Sequence, residues 1–399
     1  MTLVLKSRLY LRATASLFFA GLGISVAMPQ ISLFLVQDLH ASLPVAGLFF
    51  LTNFAAPVFG FMVGRWSDRL PDRLSLFRVG ALVGLMGWVV MALTTQVWMA
   101  FAVNLTLLGF AGATGSLIFA AVRDQLTNAP TGADNRVMST VRLGFSLGFM
   151  TGPLVGSVLG GLAGLRSVLI VSGVCTLLQL VPMIGQKVTR TSPGREVSSD
   201  EPFDRQESRP PSLAPLLIFL GLSVLAMCGD TIRFAYLPIY MKLQLDTPDW
   251  LRGVVISAQS VGMLVFIPIM GVLADRFGAQ RLVVFNVLLG VGANLGFMAA
   301  STEAGLIAAT LLNSAMWATL GGIGITVAQD LYAYGIGTAS ALYFSAIRFS
   351  AAIGGVAGSL GVAWFGVPGV FAVPALLCGV AAVGLFIQAL WFSRRGRAG

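Results

Sequence analysis

Apolar runs of about 20 residues, long enough to cross the hydrocarbon core of a bilayer as a helix, recur from one end of this sequence to the other. A water-soluble core could not hold them, because 56% of the 399 residues are hydrophobic and only 10% are charged. Since the bilayer core cannot satisfy free backbone groups, each run is expected to be a helix. We predict twelve transmembrane helices, centred near Ser25, Ala55, Gly84, Gly109, Gly148, Thr176, Val224, Met263, Leu289, Met316, Gly354 and Val380.

The cationic residues are distributed unevenly between the two sides of the predicted membrane. If the N-terminus is cytoplasmic, cytoplasmic segments hold 19 of the 25 lysines and arginines, and the opposite side holds only Arg166, Lys242 and Arg252. This asymmetry predicts a multi-pass membrane protein with both termini in the cytoplasm. It also accounts for the net charge of +9 without a nucleic-acid partner. A cleaved signal peptide is not expected, because the first apolar run, residues 13–36, is too long for one.

One polar segment interrupts the apolar pattern. Residues 187–212 are charged and rich in Pro and Ser, which is typical of a flexible linker. The segment separates six predicted helices from six others. We therefore predict an N-terminal six-helix bundle over residues 1–186, a cytoplasmic linker over 187–212 and a C-terminal six-helix bundle over 213–399.

The two predicted bundles share an internal sequence repeat. In each matched pair, the second residue lies 206 or 207 positions after the first. The matched pairs are Gly64 and Gly271, Asp68 and Asp275, Arg69 and Arg276, Asp124 and Asp330, Arg142 and Arg348, Gly148 and Gly354, and Gly152 and Gly358. Several independent positions that hold one offset to within a residue indicate that the halves are duplicates.

A short pattern lies between predicted helices 2 and 3 and again between helices 8 and 9. It is Gly-x-x-x-Asp-Arg in both places, at residues 64–69 and 271–276. The pattern resembles the signature loop of the major facilitator superfamily, although Pro71 replaces the glycine expected after the first copy. The resemblance implies an all-α polytopic membrane protein with the major facilitator fold, in which this loop forms a charge relay between helices.

The residue types in the loop suit a gate. The glycine lets two helices approach closely, the aspartate can accept hydrogen bonds from the N-terminus of a neighbouring helix, and the arginine can pair with a carboxylate. Acidic residues at the cytoplasmic ends of helices 4 and 10 are candidate partners. We predict a cytoplasmic gate formed by Gly64, Asp68, Arg69, Arg73, Asp124, Gly271, Asp275, Arg276 and Asp330. The alternative is that these charges are solvated anchors that follow the positive-inside rule.

Predicted helix 5 carries a glycine-proline pattern, Gly148-x-x-x-Gly152-Pro153-x-x-Gly156. Small residues at this spacing permit close helix packing, and Pro153 bends the helix where neighbours can satisfy the freed carbonyl. The pattern resembles a motif of export members of the superfamily, so it favours efflux. Helix 11 keeps two of the glycines but has Ser359 in place of the proline.

Further stretches resemble the bacterial sugar efflux transporter family. They are residues 29–35, His40-Ala41 and Gly47 in the first half, and residues 321–324, 329–331 and 340–343 in the second. The resemblance implies a proton-driven exporter of simple sugars or glycosides in the bacterial inner (plasma) membrane. Its expected partners are a small-molecule sugar, protons and membrane lipid, with no nucleic acid and no cofactor, and we expect a monomer.

Polar side chains within the predicted helices are candidates for binding the substrate. Ionisable groups are costly inside a bilayer, so those that are retained usually face a bundle interior or a water-filled cavity. Amides and hydroxyls can hydrogen-bond to a sugar, and an aromatic ring can stack on its apolar face. The candidates are Gln30, Asn53, Asn104, Arg142, Phe234, Gln259, Asn313, Trp317, Tyr343 and Arg348.

Asp230 is the one carboxylate predicted well inside a helix and away from the cytoplasmic loops. Arg233 follows three positions later and lies on the same helical face. The pair is the leading candidate for proton coupling, because a proton and a substrate can compete for the carboxylate. A permanent structural ion pair is the alternative hypothesis.

Other kinds of function have little support in the sequence. With His40 as the single histidine, neither a His-based catalytic pair nor a multi-histidine metal site is expected. The glycine-rich residues 321–324 lack the Gly-Lys-Ser/Thr of a phosphate-binding loop. We therefore predict a transporter and not an enzyme. A multidrug efflux antiporter of the same fold and a non-transporting membrane sensor are the alternatives.

Overall fold

The computed structural model describes residues 8–67, 69–70, 72–128, 134–186 and 212–395. Within these residues, twelve helical spans are long and apolar enough to cross a membrane. We number them α1 (Leu9–Gln37), α2 (Leu43–Ser67), α3 (Leu74–Leu93), α4 (Val97–Thr127), α5 (Val137–Ala163), α6 (Leu165–Met183), α7 (Ala214–Leu243), α8 (Asp249–Phe277), α9 (Ala279–Ala299), α10 (Glu303–Leu331), α11 (Ala333–Gly369) and α12 (Ala372–Trp391).

The prediction of a twelve-helix membrane protein is confirmed, because each predicted centre falls within one of these spans. Six spans precede the undescribed segment 187–211 and six follow it. We call α1 to α6 the first half and α7 to α12 the second half. Apart from Ser212, the predicted linker lies outside the described residues, and the domain boundaries stay predictions.

Two helices of the first half contain turns that depart from α geometry. A 3₁₀ stretch, Phe49–Ala55, lies inside α2, and a π turn, Asn104–Leu108, lies inside α4. Such irregular turns within a helix often occur at hinges and functional sites. They therefore direct attention to the middle of α2 and α4.

Glycines of α5 form its contact surface with α1. They are Gly144, Gly148, Gly152 and Gly156. A Cβ on Gly148 would touch the carbonyl oxygen of Phe18 and would lie 2.8 Å from the backbone nitrogen of Leu22. The two helices can therefore approach this closely only because α5 presents glycine at every fourth position.

The second half packs α11 against α7 in the same way. A Cβ on Gly354 would lie 2.5 Å from the carbonyl oxygen of Cys228, and one on Gly358 would lie 3.0 Å from the ring of Tyr236. Gly354 and Gly358 are the repeat partners of two of the α5 glycines. The sequence repeat thus corresponds to a repeated packing arrangement.

Replacing Gly148 by alanine is expected to destabilise the first half. The new methyl group would collide with the α1 backbone, and overpacking of this kind costs about 1–3 kcal/mol. The measurement is the thermal unfolding midpoint of the purified protein in detergent. Gly221→Ala is the matched control, because no heavy atom lies within 4 Å of a Cβ at that position. Equal midpoints for the two variants would contradict the packing described here.

One hydrophobic cluster of the described residues joins the two halves. It contains Phe34 and Phe49 from the first half together with Tyr236 and Phe371 from the second. The three other clusters each draw on one half alone. The joint cluster lies at the end of the molecule that carries the α1–α2 turn, which we call the outer end, and the separate clusters lie toward the opposite, inner end.

Two seams form the contact between the halves at the outer end. In the first seam α2 meets α11, where a Cβ on Gly47 would lie 3.2 Å from the backbone nitrogen of Ser359. In the second seam α8 meets α5, where a Cβ on Gly253 would lie 2.6 Å from the Cα of Leu154 and 2.9 Å from the carbonyl oxygen of Pro153. Gly253 lies 206 positions after Gly47, and Ser359 lies 206 positions after Pro153. The duplication therefore extends to the contacts between the halves.

The halves diverge toward the inner end. Within the described part of the chain, no heavy atom lies within 4 Å of a Cβ placed on Gly60, Gly64 or Gly271. Phe61 of α2 is 70% exposed and Val272 of α8 is 69% exposed. Together with the joint cluster and the two outer seams, these features indicate a molecule that is closed at the outer end and open between its halves at the inner end.

Candidate substrate and coupling site

Four polar side chains on three helices form a hydrogen-bonded chain inside the second half. Asn313 of α10 donates its Nδ2 to Oε1 of Gln259 on α8 at 3.0 Å. Gln259 donates its Nε2 to Oδ1 of Asp230 on α7, also at 3.0 Å. Arg233 donates its Nη2 to the same Oδ1 at 3.1 Å. We call Asp230, Arg233, Gln259 and Asn313 the polar chain.

The amides of the polar chain are buried, so their hydrogen bonds matter for packing as well as for recognition. Gln259 is 6% exposed and Asn313 is 3% exposed. A buried polar group without a partner costs about 1–3 kcal/mol. Because each amide here is paired, the chain fixes α8 and α10 against the carboxylate on α7.

Arg233 is almost completely buried, at 1% exposure. Besides its ion pair with Asp230, its guanidinium carbon lies 4.2 Å from the centre of the Phe234 ring, a cation–π contact. Its Nη1 has no hydrogen-bond partner in the described residues. Since removing the partner of a buried charge costs about 3–5 kcal/mol, the charge state of Asp230 affects how firmly Arg233 is held.

The two oxygens of Asp230 have different surroundings. Oδ1 accepts hydrogen bonds from Gln259 and from both Nε and Nη2 of Arg233. Oδ2 accepts none from the residues that the structure describes, and the side chain is 20% exposed. One oxygen therefore anchors the polar chain, while the other can accept a proton or a hydroxyl hydrogen.

In the first half, Asn104 links the two irregular turns. It donates Nδ2 to Oγ1 of Thr52, which in turn donates to the carbonyl oxygen of Phe49. Asn104 begins the π turn of α4, and Thr52 lies in the 3₁₀ stretch of α2. Asn53, the next residue, is half-buried. Two of the predicted substrate-binding residues thus lie where both helices depart from regular geometry.

Three other predicted binding residues have different settings. Gln30 is buried and donates to Oγ of Ser157 at 2.8 Å. Tyr343 is buried and donates to the carbonyl oxygen of Leu320. Both side chains brace helices within one half. Trp317 is half-buried, lies one turn along α10 from Asn313, and its Nε1 has no hydrogen-bond partner in the described residues.

Arg142 and Arg348 are both exposed. Arg142 lies 11 residues before Pro153 on α5, and Arg348 lies 11 residues before Ser359 on α11. Eleven residues make slightly more than three helical turns, so each arginine lies on about the same helical face as a seam residue, three turns closer to the inner end.

The structure leaves the predicted gate untested. Asp68 lies outside the described residues, and nothing is described of the Arg73 side chain. Asp275 and Asp330 form no ion pair with any described residue. The other gate residues, Gly64, Arg69, Asp124, Gly271 and Arg276, all lie near the open inner end. The gate stays a prediction about a conformation in which that end is closed.

A charged cluster at the outer end was not found by sequence reasoning. The sequence analysis placed Lys242 and Arg252 on the outer side, and the structure shows that they lie within α7 and α8 and converge on Asp249. Arg252 donates Nη2 to Oδ1 of Asp249, and the Lys242 Nζ lies 3.5 Å from the same oxygen. A signal was present, because Asp249 and Arg252 are three residues apart and therefore share a helical face.

The described residues offer no obvious metal site. No group of three or more His, Cys, Asp and Glu side chains among them could hold a metal ion. Cys175, Cys228 and Cys378 are buried and free, and they lie on three different helices.

Comparison with known proteins identifies the family. The family model described as the Major Facilitator Superfamily matches residues 13–253 and 218–398. The chain belongs to the Major Facilitator Superfamily. The resemblance seen in the signature loops is thereby confirmed, and so is the prediction of a transporter, since members of this superfamily are transporters and not enzymes.

Curated relatives of this Major Facilitator protein carry names that agree with the second resemblance. Sugar efflux transporter A of Dickeya chrysanthemi is 25% identical over 372 residues, which cover 91% of this chain and 92% of the relative. Sugar efflux transporter A of Escherichia coli K12 is 25% identical over 381 residues, with 93% of each chain covered. The sequence is thus similar to sugar efflux transporters along nearly its whole length.

Two solved structures with the same fold are not named as sugar efflux transporters. The nucleoside transporter NupG superposes with a TM-score of 0.78 at 15% identity, covering 98% of this chain and 99% of that one. A bacterial homologue of the human lysosomal transporter Spinster, in an inward-facing and unoccupied conformation, gives a TM-score of 0.75 at 11% identity, with 96% and 95% covered. These similarities establish the major facilitator fold.

Proposed function

We propose that this Major Facilitator protein exports a sugar or glycoside from the cytoplasm by proton antiport with alternating access. The observation that carries the proposal is the polar chain, in which a buried network of amides and one ion pair presents a single free carboxylate oxygen. The names of the curated relatives support the substrate class. The distribution of lysine and arginine supports a cytoplasmic inner end.

Sugar recognition in this proposal uses hydroxyl hydrogen bonds and one stacking surface. Asp230 Oδ2 accepts from a sugar hydroxyl, and Asn53 and Asn104 supply amides from the first half. Trp317 supplies an aromatic face beside Asn313. A neutral, hydroxyl-rich molecule matches these groups, because a few well-placed polar atoms on an otherwise apolar wall fix the orientation of a small ligand.

Coupling in this proposal depends on competition at one oxygen. When Asp230 is ionised, Oδ2 can accept a hydrogen bond from the sugar, and when Oδ2 carries a proton, that acceptor is lost. Mutually exclusive binding of proton and sugar is the condition for antiport. A proton that arrives from the outside and binds Oδ2 therefore releases the sugar.

Alternating access requires a second conformation, in which the outer seams part and the inner end closes. The open inner end described above would admit sugar from the cytoplasm. The predicted gate residues would meet on closure, with Asp275 and Asp330 finding the partners that they lack here. Arg142 and Arg348, on the faces that continue the seams, would then lie between the halves.

Counterflow in proteoliposomes tests the proposal directly. Vesicles loaded with unlabelled sugar should accumulate a labelled sugar transiently, and an imposed pH gradient should drive net movement of that sugar. A panel of labelled sugars, glycosides and a lipophilic cation identifies the substrate class. Counterflow of the cation alone would favour a multidrug antiporter, and binding without any counterflow would favour a sensor. Net sugar movement that does not respond to an imposed pH gradient would contradict the proton coupling.

A further inference from the structure

Arg252 is buried at the second seam with part of its hydrogen-bonding capacity unused. It is 3% exposed, and only Nη2 is paired, with Asp249. Its Nε and Nη1 are buried and have no hydrogen-bond partner in the part of the chain that is described. Asp249, one turn earlier, contacts Gly161 of α5, and Gly253, the next residue, contacts Pro153 of α5. The guanidinium is therefore enclosed where the two halves meet.

A buried charge in this position destabilises the closed conformation of the second seam. Donors that are buried without a partner lose their bonds to water and gain nothing in return. An ion pair within the protein often fails to offset the cost of removing both charges from water. The glycine contacts and the joint hydrophobic cluster favour closure, so the seam combines groups that hold it shut with one that favours its opening.

The internal repeat shows that close packing does not require this arginine. The residue 206 positions earlier, at the first seam, is Ala46, which is fully buried next to Gly47. In each seam a Cβ on the glycine would lie within 3.2 Å of backbone atoms of the other half, and at the first seam it would also contact the hydroxyl group of Tyr236. An alanine therefore suffices at this position, and the arginine is an addition specific to the second seam.

We propose that Arg252 is a positioning residue for the transport cycle, whose buried charge destabilises the outer-closed conformation and so keeps the outward-open conformation populated. When the second seam parts, water reaches the guanidinium and satisfies Nε and Nη1. The proposal rests on the alternating access proposed above, and it does not depend on the identity of the substrate.

The same geometry would also suit the opposite role for Arg252. The two roles predict opposite effects of removing its charge. Arg252 could act as a latch that holds Asp249 against Gly161 and keeps the outer end shut. Removal of a latch would open the outer end. Removal of a destabilising charge would close it more firmly.

Arg252→Met separates these roles with little risk of a new defect. Methionine is unbranched and fills much of the same space. Asp249 would not lose all compensation, because the Lys242 Nζ remains 3.5 Å from its Oδ1. Arg252→Lys is the matched control, because it keeps the charge in a side chain of similar length.

The test is labelling of Ser359→Cys from the outside with a membrane-impermeant maleimide, in right-side-out vesicles without substrate or pH gradient. Ser359 is 5% exposed at the first seam, so the reporter is remote from Arg252 and becomes reachable from outside when the outer end opens. The three native cysteines are replaced by alanine. We expect Arg252→Met to slow labelling about tenfold, the factor that one or two unsatisfied buried donors imply. Arg252→Lys should label at the parent rate.

Faster or unchanged labelling of Arg252→Met would overturn the proposal, and so would equal slowing by Arg252→Lys. A parent protein that is never labelled from outside would instead count against alternating access itself. If the cysteine-free background does not fold, hydrogen exchange of the peptide that spans residues 249–257 gives the same comparison in the native sequence. Slower exchange in Arg252→Met supports the proposal, and faster or equal exchange refutes it.

Discussion

Replacing Asp230 by asparagine should abolish proton-driven export while leaving sugar counterflow measurable. Asparagine keeps one oxygen for Gln259 and Arg233, but it places an NH2 group where Oδ2 accepts the sugar hydroxyl, and it cannot take up a proton. Sugar binding should therefore weaken but stay measurable through the other proposed binding residues. In proteoliposomes, the response of sugar flux to an imposed pH gradient should fall to the background of empty vesicles. Glu303→Gln, a carboxylate change at the start of α10, is the matched control and should retain the full response.

The buried partner of Asp230 requires a second variant. Asp230→Asn leaves the Arg233 charge without its counter-ion, which can destabilise the fold by about 3–5 kcal/mol. The double variant Asp230→Asn, Arg233→Met removes both charges and should restore the unfolding midpoint without restoring pH-driven flux. Normal coupling in the double variant would show that the pair is structural and that the proton is carried elsewhere.

Gly253→Leu should slow transport strongly by preventing closure of the outer end. Its Cβ alone would lie 2.6 Å from the Cα of Leu154, and the rest of the side chain has no space in the second seam. Overpacking costs about 1–3 kcal/mol, so the outer-closed population and the transport rate should fall about tenfold or more. Because the contact is between halves, each half should keep its own packing, and labelling of the opening from outside should increase.

Gly292→Leu is the control for this experiment. Gly292 is exposed on α9, and no heavy atom lies within 4 Å of a Cβ at that position. Its transport rate should match that of the parent. If Gly253→Leu transports at the parent rate, the second seam does not have to close during the cycle.

Much of the fold was predictable because its physical cause is local in the sequence. Each span is a long apolar run, and the glycines at four-residue intervals on α5 give its packing face directly. The pairing of Asp230 with Arg233 was also predictable, because residues at i and i+3 share a helical face. Such features need no knowledge of which helices are neighbours.

The rest of the candidate site depends on which helices are neighbours. Gln259 and Asn313 were recognised as polar residues in apolar helices, but nothing local places them in one chain with Asp230. Gln30 carried the same signal, yet it pairs with Ser157 inside the first half. Arg252 was predicted only as a cationic residue of the outer side, because the asymmetry of positive charge does not show which residues become enclosed between helices.

The open inner end has a consequence for the direction in which a carrier of this kind works. A ligand that binds a conformation already populated is bound at its intrinsic affinity, whereas one that needs a rare conformation has its apparent affinity reduced by that fraction. If the empty carrier is mostly closed at the outer end and open at the inner end, a sugar in the cytoplasm can bind directly. The same sugar outside can bind only after the outer seams have parted. At low sugar concentrations on both sides, such a carrier would bind sugar that accumulates inside the cell and would bind little sugar from outside.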